Sequence, residues 1–209
     1  MPSTAHLAPD RDALTASPRL FRNPILEKLS RVHHVAPAAI YLPIAAVLLW
    51  FAARTFGVAA IAASLIGGYA FWTVIEYFGH RYFFHLHLPG KLGERMHFLV
   101  HGVHHVHPSD PLRLVMPPLM SAPIMLGAFI VLRLVCGPAL VLPVLAGFLV
   151  GYVAYDMLHF HVHHGRSRTR WGAELRRRHM HHHFQDDRRG FGISCPWWDD
   201  IVGTAAKRP

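Results

Sequence analysis

The stretch "VMPPLMSAPIMLGAFIVLRLVCGPALVLPVLAGFLVGYVAYDML" (residues 115–158) carries one cation, Arg133, and one acid, Asp156. "CGP" at 136–138 divides it into two apolar segments, 115–135 and 138–158. Two more lie upstream, 36–53 ("APAAIYLPIAAVLLWFAA") and 57–78 ("GVAAIAASLIGGYAFWTVIEYF"), joined near "RTF". Each is about 18–22 residues, or about 27–33 Å of helix, which matches one bilayer core. A soluble protein buries one such helix, not four. With 52% hydrophobic residues and a mean hydropathy of +0.25, the chain reads as an all-α integral membrane protein. Four transmembrane helices are expected, arranged as two tight hairpins. Prolines within the spans are tolerable where neighbouring helices satisfy the freed backbone groups.

Two hairpins put everything polar on one face: the N-terminal arm, residues 79–114 and residues 159–209. The net charge is +9, yet the 21 Lys and Arg are segregated. Nineteen lie in those three regions and only Arg54 and Arg133 elsewhere. Cations collected on one face place it in the cytoplasm, below a bacterial inner membrane or an endoplasmic reticulum membrane. A nucleic-acid binder instead needs a basic face on a water-soluble body. Residues 1–17 lack an apolar core, so they read as a disordered lead and not a signal peptide. Residues 18–35, with "RLFRNPILEKLSRV" at 19–32, suit an interfacial helix. Cys136 and Cys195 make no disulfide framework.

The polar face holds most of the 19 histidines, and they are spaced. His80 and His85 form HxxxxH. His101, His104 and His105 form HxxHH, as do His179, His182 and His183, and His159 and His163 form HxxxH. Residues three and four apart share a helix face, so each cluster is expected to aim imidazoles at one point. Imidazole suits Fe, Zn, Cu and Ni. Ten such ligands are too many for one ion and suit two, in a histidine-rich cytoplasmic cap (79–114 and 159–209). Glu76, four before His80, and Asp156, three before His159, are candidates to accept the rings' other N–H and fix the tautomer. His97 is a further candidate of that kind; His6, His33 and His34 read as non-ligands. His87, His107, His161, His164 and His181 are left open.

These motifs resemble the membrane fatty acid hydroxylase superfamily, and within it the fatty acid 2-hydroxylases. The resemblance covers about residues 18–205. It rests on "SPRLFRNP", "EYFGHRYFFH", "HFLVHGVHHVHPSDPLRLVMPP", "YDMLHFHVHH", "HMHHHF" and "GFGIS…WWDDIVGT". The histidine pattern marks the superfamily; "HGxHHxxPxDxxRLVxPP" with "GFGIS" is more specific to the 2-hydroxylases. The resemblance implies a hydroxylase domain over 36–209. It implies two irons held by the ten histidines His80, His85, His101, His104, His105, His159, His163, His179, His182 and His183, with His97 and His164 outside the set; imidazole sites also accept zinc, which can replace iron on purification. It further implies O2 as co-substrate, a fatty acid or acyl lipid as substrate and hydroxylation at C-2. Eukaryotic members often carry an N-terminal b-type cytochrome domain. Only about 35 residues precede the first span here, so a separate donor is expected, a b-type cytochrome or a ferredoxin-like protein with its reductase. Tyr82, Phe83, Phe84, Trp197 and Trp198 are candidate cavity lining, a place they share with interfacial anchoring.

Two alternatives stand beside this reading. One is another member of the superfamily: a sterol or carotenoid hydroxylase, or a desaturase. The other is a metal-binding or transport protein. A transporter sets ionisable ligands inside its spans, and these spans are nearly bare.

Overall fold

Gly137 interrupts the longest apolar run of the protein with φ 80° and ψ 176°, a left-handed conformation that only glycine adopts freely. Pro138 follows, lacking an N–H and starting a new helix. The computed structural model describes residues 11–206, and among them the fold is all helical. The helices are α1 (Arg11–Thr15), α2 (Pro24–Leu29), α3 (Ala36–Ala52), α4 (Val58–Phe78), α5 (Gly90–His97), α6 (Val103–Val106), α7 (Pro118–His164), α8 (Arg170–Phe184) and α9 (Trp197–Val202). Two π-helical turns, Gly79–Phe84 and Phe98–Gly102, continue α4 and α5. Gly137 divides α7 into a first arm, 118–136, and a second arm, 138–164.

Val58–Phe84 and Pro118–His164 are long and apolar enough to cross a membrane, and only 22% of the most apolar stretch of each is buried. A core helix of a soluble protein is mostly buried; these present Ile66, Leu134 and Val135 outward, each at least 70% exposed. Such helices mark an integral membrane protein. Ala36–Ala52 is apolar but shorter, at 17 residues.

Helix α7 packs on both α3 and α4. The α4 contact is close because it is glycine against backbone. A Cβ on Gly68 would lie 1.9 Å from the Val144 carbonyl oxygen, and one on Gly147 would lie 2.2 Å from that of Leu65. Small residues let membrane helices approach in this way. The core beside this contact is aromatic: Trp72 meets Phe148, Tyr152 and Tyr155. The Tyr41 and Ser121 hydroxyls, 2.8 Å apart, join α3 to α7.

The N-terminal arm departs from expectation. Of the lead expected to be disordered, residues 1–10 lie outside the described residues, but α1 docks on the cap. His107 Nδ1–H donates to the Ala13 carbonyl (2.6 Å) and the Ser109 N–H to that of Leu14 (3.0 Å). The helix expected over 18–35 contracts to α2, because Asn23, preceding Pro24, adopts an extended conformation and caps the Ile25 and Leu26 N–H groups.

Candidate metal centre

The ten spaced histidines converge in two groups of five. One holds His80, His85, His101, His105 and His182; the other holds His104, His159, His163, His179 and His183. Within each group the ligand nitrogens all lie within 4.8 Å of one another. Each HxxHH motif serves both groups. His101 and His105, four apart, point one way, while His104 turns to the other; His179 and His183 likewise part from His182. Adjacent helical residues point about 100° apart, so one motif faces two sites. The groups adjoin, with the His105 and His183 rings stacked at 4.4 Å.

HxxxxH needs a different device, since residues five apart sit about 140° apart on an α-helix. The π turn Gly79–Phe84 supplies it. The His85 N–H donates to the His80 carbonyl at 3.3 Å, an i+5 bond that brings both rings to one side. The second π turn, Phe98–Gly102, carries His101 in the same manner.

Backbone carbonyls orient two rings of the first group. His80 Nδ1–H donates to the Phe191 carbonyl (2.7 Å) and His182 Nδ1–H to that of Arg189 (2.8 Å). A carbonyl only accepts, so Nδ1 carries the proton and Nε2 presents its lone pair. The loop bearing both carbonyls is clamped by fully buried Asp199, whose oxygens accept the Phe191 N–H (3.0 Å) and the Gly192 N–H (2.8 Å). In the second group, His159 Nδ1, His179 Nδ1 and His183 Nδ1 are buried and unpartnered among the described residues.

Burial pushes the cap imidazoles far below their ordinary range, and neighbouring histidines add to the effect. His85 falls to about 3 and His105 to about 4; His101, His104, His179, His182 and His183 also lie well below. These rings are neutral at pH 7. Their Nε2 atoms nevertheless crowd together: His80 and His105 each lie 3.1 Å from His101, and His159 and His183 each lie 3.1 Å from His179. Inward lone pairs at that spacing repel unless a cation lies between them. Two nitrogens about 2.1 Å from one ion sit about 3.0 Å apart at right angles and about 3.4 Å apart at the tetrahedral angle. The residues therefore fit two metal ions, with near-right-angle ligation.

Two apolar cavities reach these groups. One, about 210 Å³, runs between α4 and the first arm of α7, from Ile75 and Ile124 to His80. The other, about 110 Å³, reaches His101, His104 and His159 beneath the N-terminal arm. Phe84, Met116 and Tyr155 line both.

Comparison with known proteins gives this architecture a lineage. Residues 65–204 match the family described as fatty acid hydroxylase. The chain belongs to the fatty acid hydroxylase family. It is 35% identical over 188 residues to the dihydroceramide fatty acyl 2-hydroxylase FAH2 of Arabidopsis thaliana, covering 90% of this chain and 79% of that protein. It is 33% identical to the Homo sapiens fatty acid 2-hydroxylase, covering 87% of this chain and 55% of that one. The solved structure described as full-length scs7p, with only its hydroxylase domain visible, superposes with a TM-score of 0.84 at 31% identity, over 90% of this chain and 71% of that one.

Against this fatty acid hydroxylase fold, several expected placements change. Glu76 does not meet the His80 ring. It accepts the Ile193 and Ser194 N–H groups (2.8 and 2.7 Å), Trp72 Nε1–H (3.2 Å) and the Ser194 hydroxyl, so it fixes the loop that holds His80. Asp156 accepts the Met116 N–H (3.4 Å), and His159 Nδ1 has no hydrogen-bond partner among the described residues. The His97 ring lies tilted against that of His87, with centroids 4.1 Å apart, and His164 stacks on Phe160 at 4.4 Å, both outside the two groups. His34 also stacks on Phe160. Of the five aromatic lining candidates, Phe83 and Phe84 reach a cavity. Tyr82 stacks on Phe78, Trp198 donates to Thr73 Oγ1, and Trp197 is half exposed. The Phe191 and Arg189 carbonyls escape a reading of side chains; the signal for them is the glycine pair of "GFG" with Asp199 downstream. Gly190 has φ +78°, and a Cβ on Gly192 would strike the Cys195 carbonyl at 2.4 Å.

Proposed function

We propose that the protein hydroxylates a fatty acid, or the fatty acyl chain of a lipid, at C-2, using O2 and a dimetal centre. The observation that carries this reading is the pair of five-histidine groups, each touching an apolar cavity. The names of the relatives direct it to an acyl chain and to C-2. Two irons, when bound, supply the activation of O2 needed to insert oxygen into an unactivated C–H bond. The balance is RCH2–CO–X plus O2, two protons and two electrons, giving RCH(OH)–CO–X and water. The electrons come from a separate carrier, a b-type cytochrome or a ferredoxin-like protein with its reductase.

This chain's own residues do the rest. Ten neutral imidazoles present Nε2, and the Phe191 and Arg189 carbonyls keep His80 and His182 in that tautomer. Phe84, Met116 and Tyr155 wall off water and bring an aliphatic chain against both groups. For the fold in the bilayer we favour four spans in two hairpins, with α3, α4 and the two arms of α7 crossing and the histidine cap in the cytoplasm. The segregated cations and the turn at Gly137 support that arrangement.

The test is expression in a host lacking 2-hydroxy lipids under ¹⁸O2, followed by lipid mass spectrometry. Acyl chains one ¹⁸O heavier, hydroxylated at C-2, are expected, and are abolished by His104→Ala or His183→Ala. A product two hydrogens lighter than its parent identifies a desaturase instead.

A further inference from the structure

The cavity beside His101, His104 and His159 has a roof from far away in the sequence. Leu20, Phe21, Leu26 and Leu29 of the N-terminal arm close it over Leu99 and Val103 of the cap and Val115 just beyond it. The arm lies outside residues 65–204, the stretch matched by the family description. No residue of α2 is buried; Leu26 and Leu29 are 38% and 49% exposed. The roof is thus one side chain thick, with the cavity on one side and the surroundings on the other.

So thin a roof needs fastening, and one carboxylate supplies it. Glu27 Oε2 accepts the Leu20 and Phe21 N–H groups at 2.9 and 3.1 Å. Its Oε1 takes Arg31 Nε at 2.9 Å and Arg113 Nη2 at 2.6 Å. Arg113, its side chain only 3% exposed, also donates to the Pro18 carbonyl (2.9 Å) and the Ser30 hydroxyl (2.8 Å). Val32 N–H donates to the Leu112 carbonyl at 2.8 Å. The arm is pinned on both flanks of its apolar face.

We infer that Phe21, Leu26 and Leu29 are specificity-determining residues, forming the wall that decides which aliphatic chain fits beside the histidine groups, with Glu27 and Arg113 as the latch holding that wall in place. This rests on the acyl reading above for the ligand's class, an aliphatic chain. A wall of side chains against an apolar ligand discriminates by size, where one methylene is worth roughly ten-fold or more in rate.

The test compares the full-length protein with Leu29→Trp, which fills the cavity, Leu29→Ala, which enlarges it, and Ile25→Trp. Ile25 is 68% exposed on the same helix and does not line the cavity. Each is given a mixture of fatty acids of graded length, and separately a fatty acid carrying a photoreactive diazirine in its chain. The ratio of long to short 2-hydroxy products is expected to fall about ten-fold in Leu29→Trp, to rise in Leu29→Ala and to hold in Ile25→Trp. Cross-links are expected in the peptide spanning 18–32, and are lost in Leu29→Trp. Metal content equal to wild type certifies that each variant is folded. Unchanged length profiles, with no cross-link in the arm, overturn the inference. Cross-links in the arm without any 2-hydroxy product uphold the wall and overturn the acyl 2-hydroxylase reading instead.

Discussion

The His80 ring and the Phe191 backbone, 111 residues apart in sequence, are joined by a hydrogen bond of 2.7 Å from Nδ1 to the carbonyl oxygen. The bond depends on Asp199, which holds the Phe191 and Gly192 N–H groups from within a fully buried position. Asp199→Ala strands both donors at a cost of about 1–3 kcal/mol each and frees the loop. Metal affinity at the first group is then expected to fall roughly 10–100-fold. Metal titration of the purified variant checks this; unchanged affinity with lowered thermal stability shows that the loop serves the fold alone.

Two ions, one per group of five, make a sharp stoichiometric statement. His101→Ala is expected to leave about one metal per chain, because His101 lies central to the first group, 3.1 Å from both His80 and His105. His163→Ala removes the other metal, since its Nε2 sits 2.8 Å from that of His179 in the second group. His34→Ala, whose ring stacks on Phe160, leaves both. Elemental analysis of the three proteins decides it, and one metal in the unaltered chain refutes the dimetal centre.

Parts of this arrangement are legible in the sequence because their cause is local. The turn at Gly137 follows from a Gly-Pro pair inside an apolar run. The HxxHH clusters follow from helical spacing, although spacing alone does not reveal that each one serves both groups. HxxxxH is illegible by α-helical periodicity, because it takes a π turn to bring His80 and His85 together. Glu76 stands at the right interval from His80 for a ring contact, yet its oxygens are claimed by N–H groups 117 and 118 residues away. The carbonyls of Phe191 and Arg189 leave no mark on residue type, since every residue has one. The arm's role as a roof depends on Arg113, 86 residues from Glu27, a pairing no local pattern encodes.

The histidine cluster also sets how the metal-free fold answers to acid. Unfolded histidines take up protons as pH falls through about 6.5. Folded His105 does so only near 4 and His85 near 3, because burial opposes their charge. Below 6.5 the unfolded chain therefore binds more protons than the folded one. The histidine contribution to stability is intact above that pH and is lost progressively as pH falls toward 4. Thermal unfolding of metal-free protein in detergent is expected to show a flat midpoint above pH 7 and a decline from pH 6.5 to 5. A midpoint that rises on acidification means the folded histidines are already protonated.

The two cysteines turn the proposed topology into a labelling experiment, with one of them silent. Cys136 is half-buried at the turn between the arms of α7, next to Gly137. Cys195 is fully buried, with its thiol directed at the Thr73 carbonyl (3.4 Å), and burial pushes its pKa up, so it stays an unreactive thiol. An impermeant thiol reagent therefore reads Cys136 alone in the native fold, whichever side the cap occupies. Arg168, exposed in the cap segment between α7 and α8, supplies the second reporter as Arg168→Cys in a Cys136→Ser background. With the cap in the cytoplasm, intact cells or spheroplasts label Cys136 from outside, and the Arg168→Cys variant labels only after permeabilisation. The reverse pattern inverts the orientation drawn from the cations. Labelling of both from outside breaks the hairpin itself, because the second arm of α7 then fails to cross between the Gly137 turn and the histidine cap.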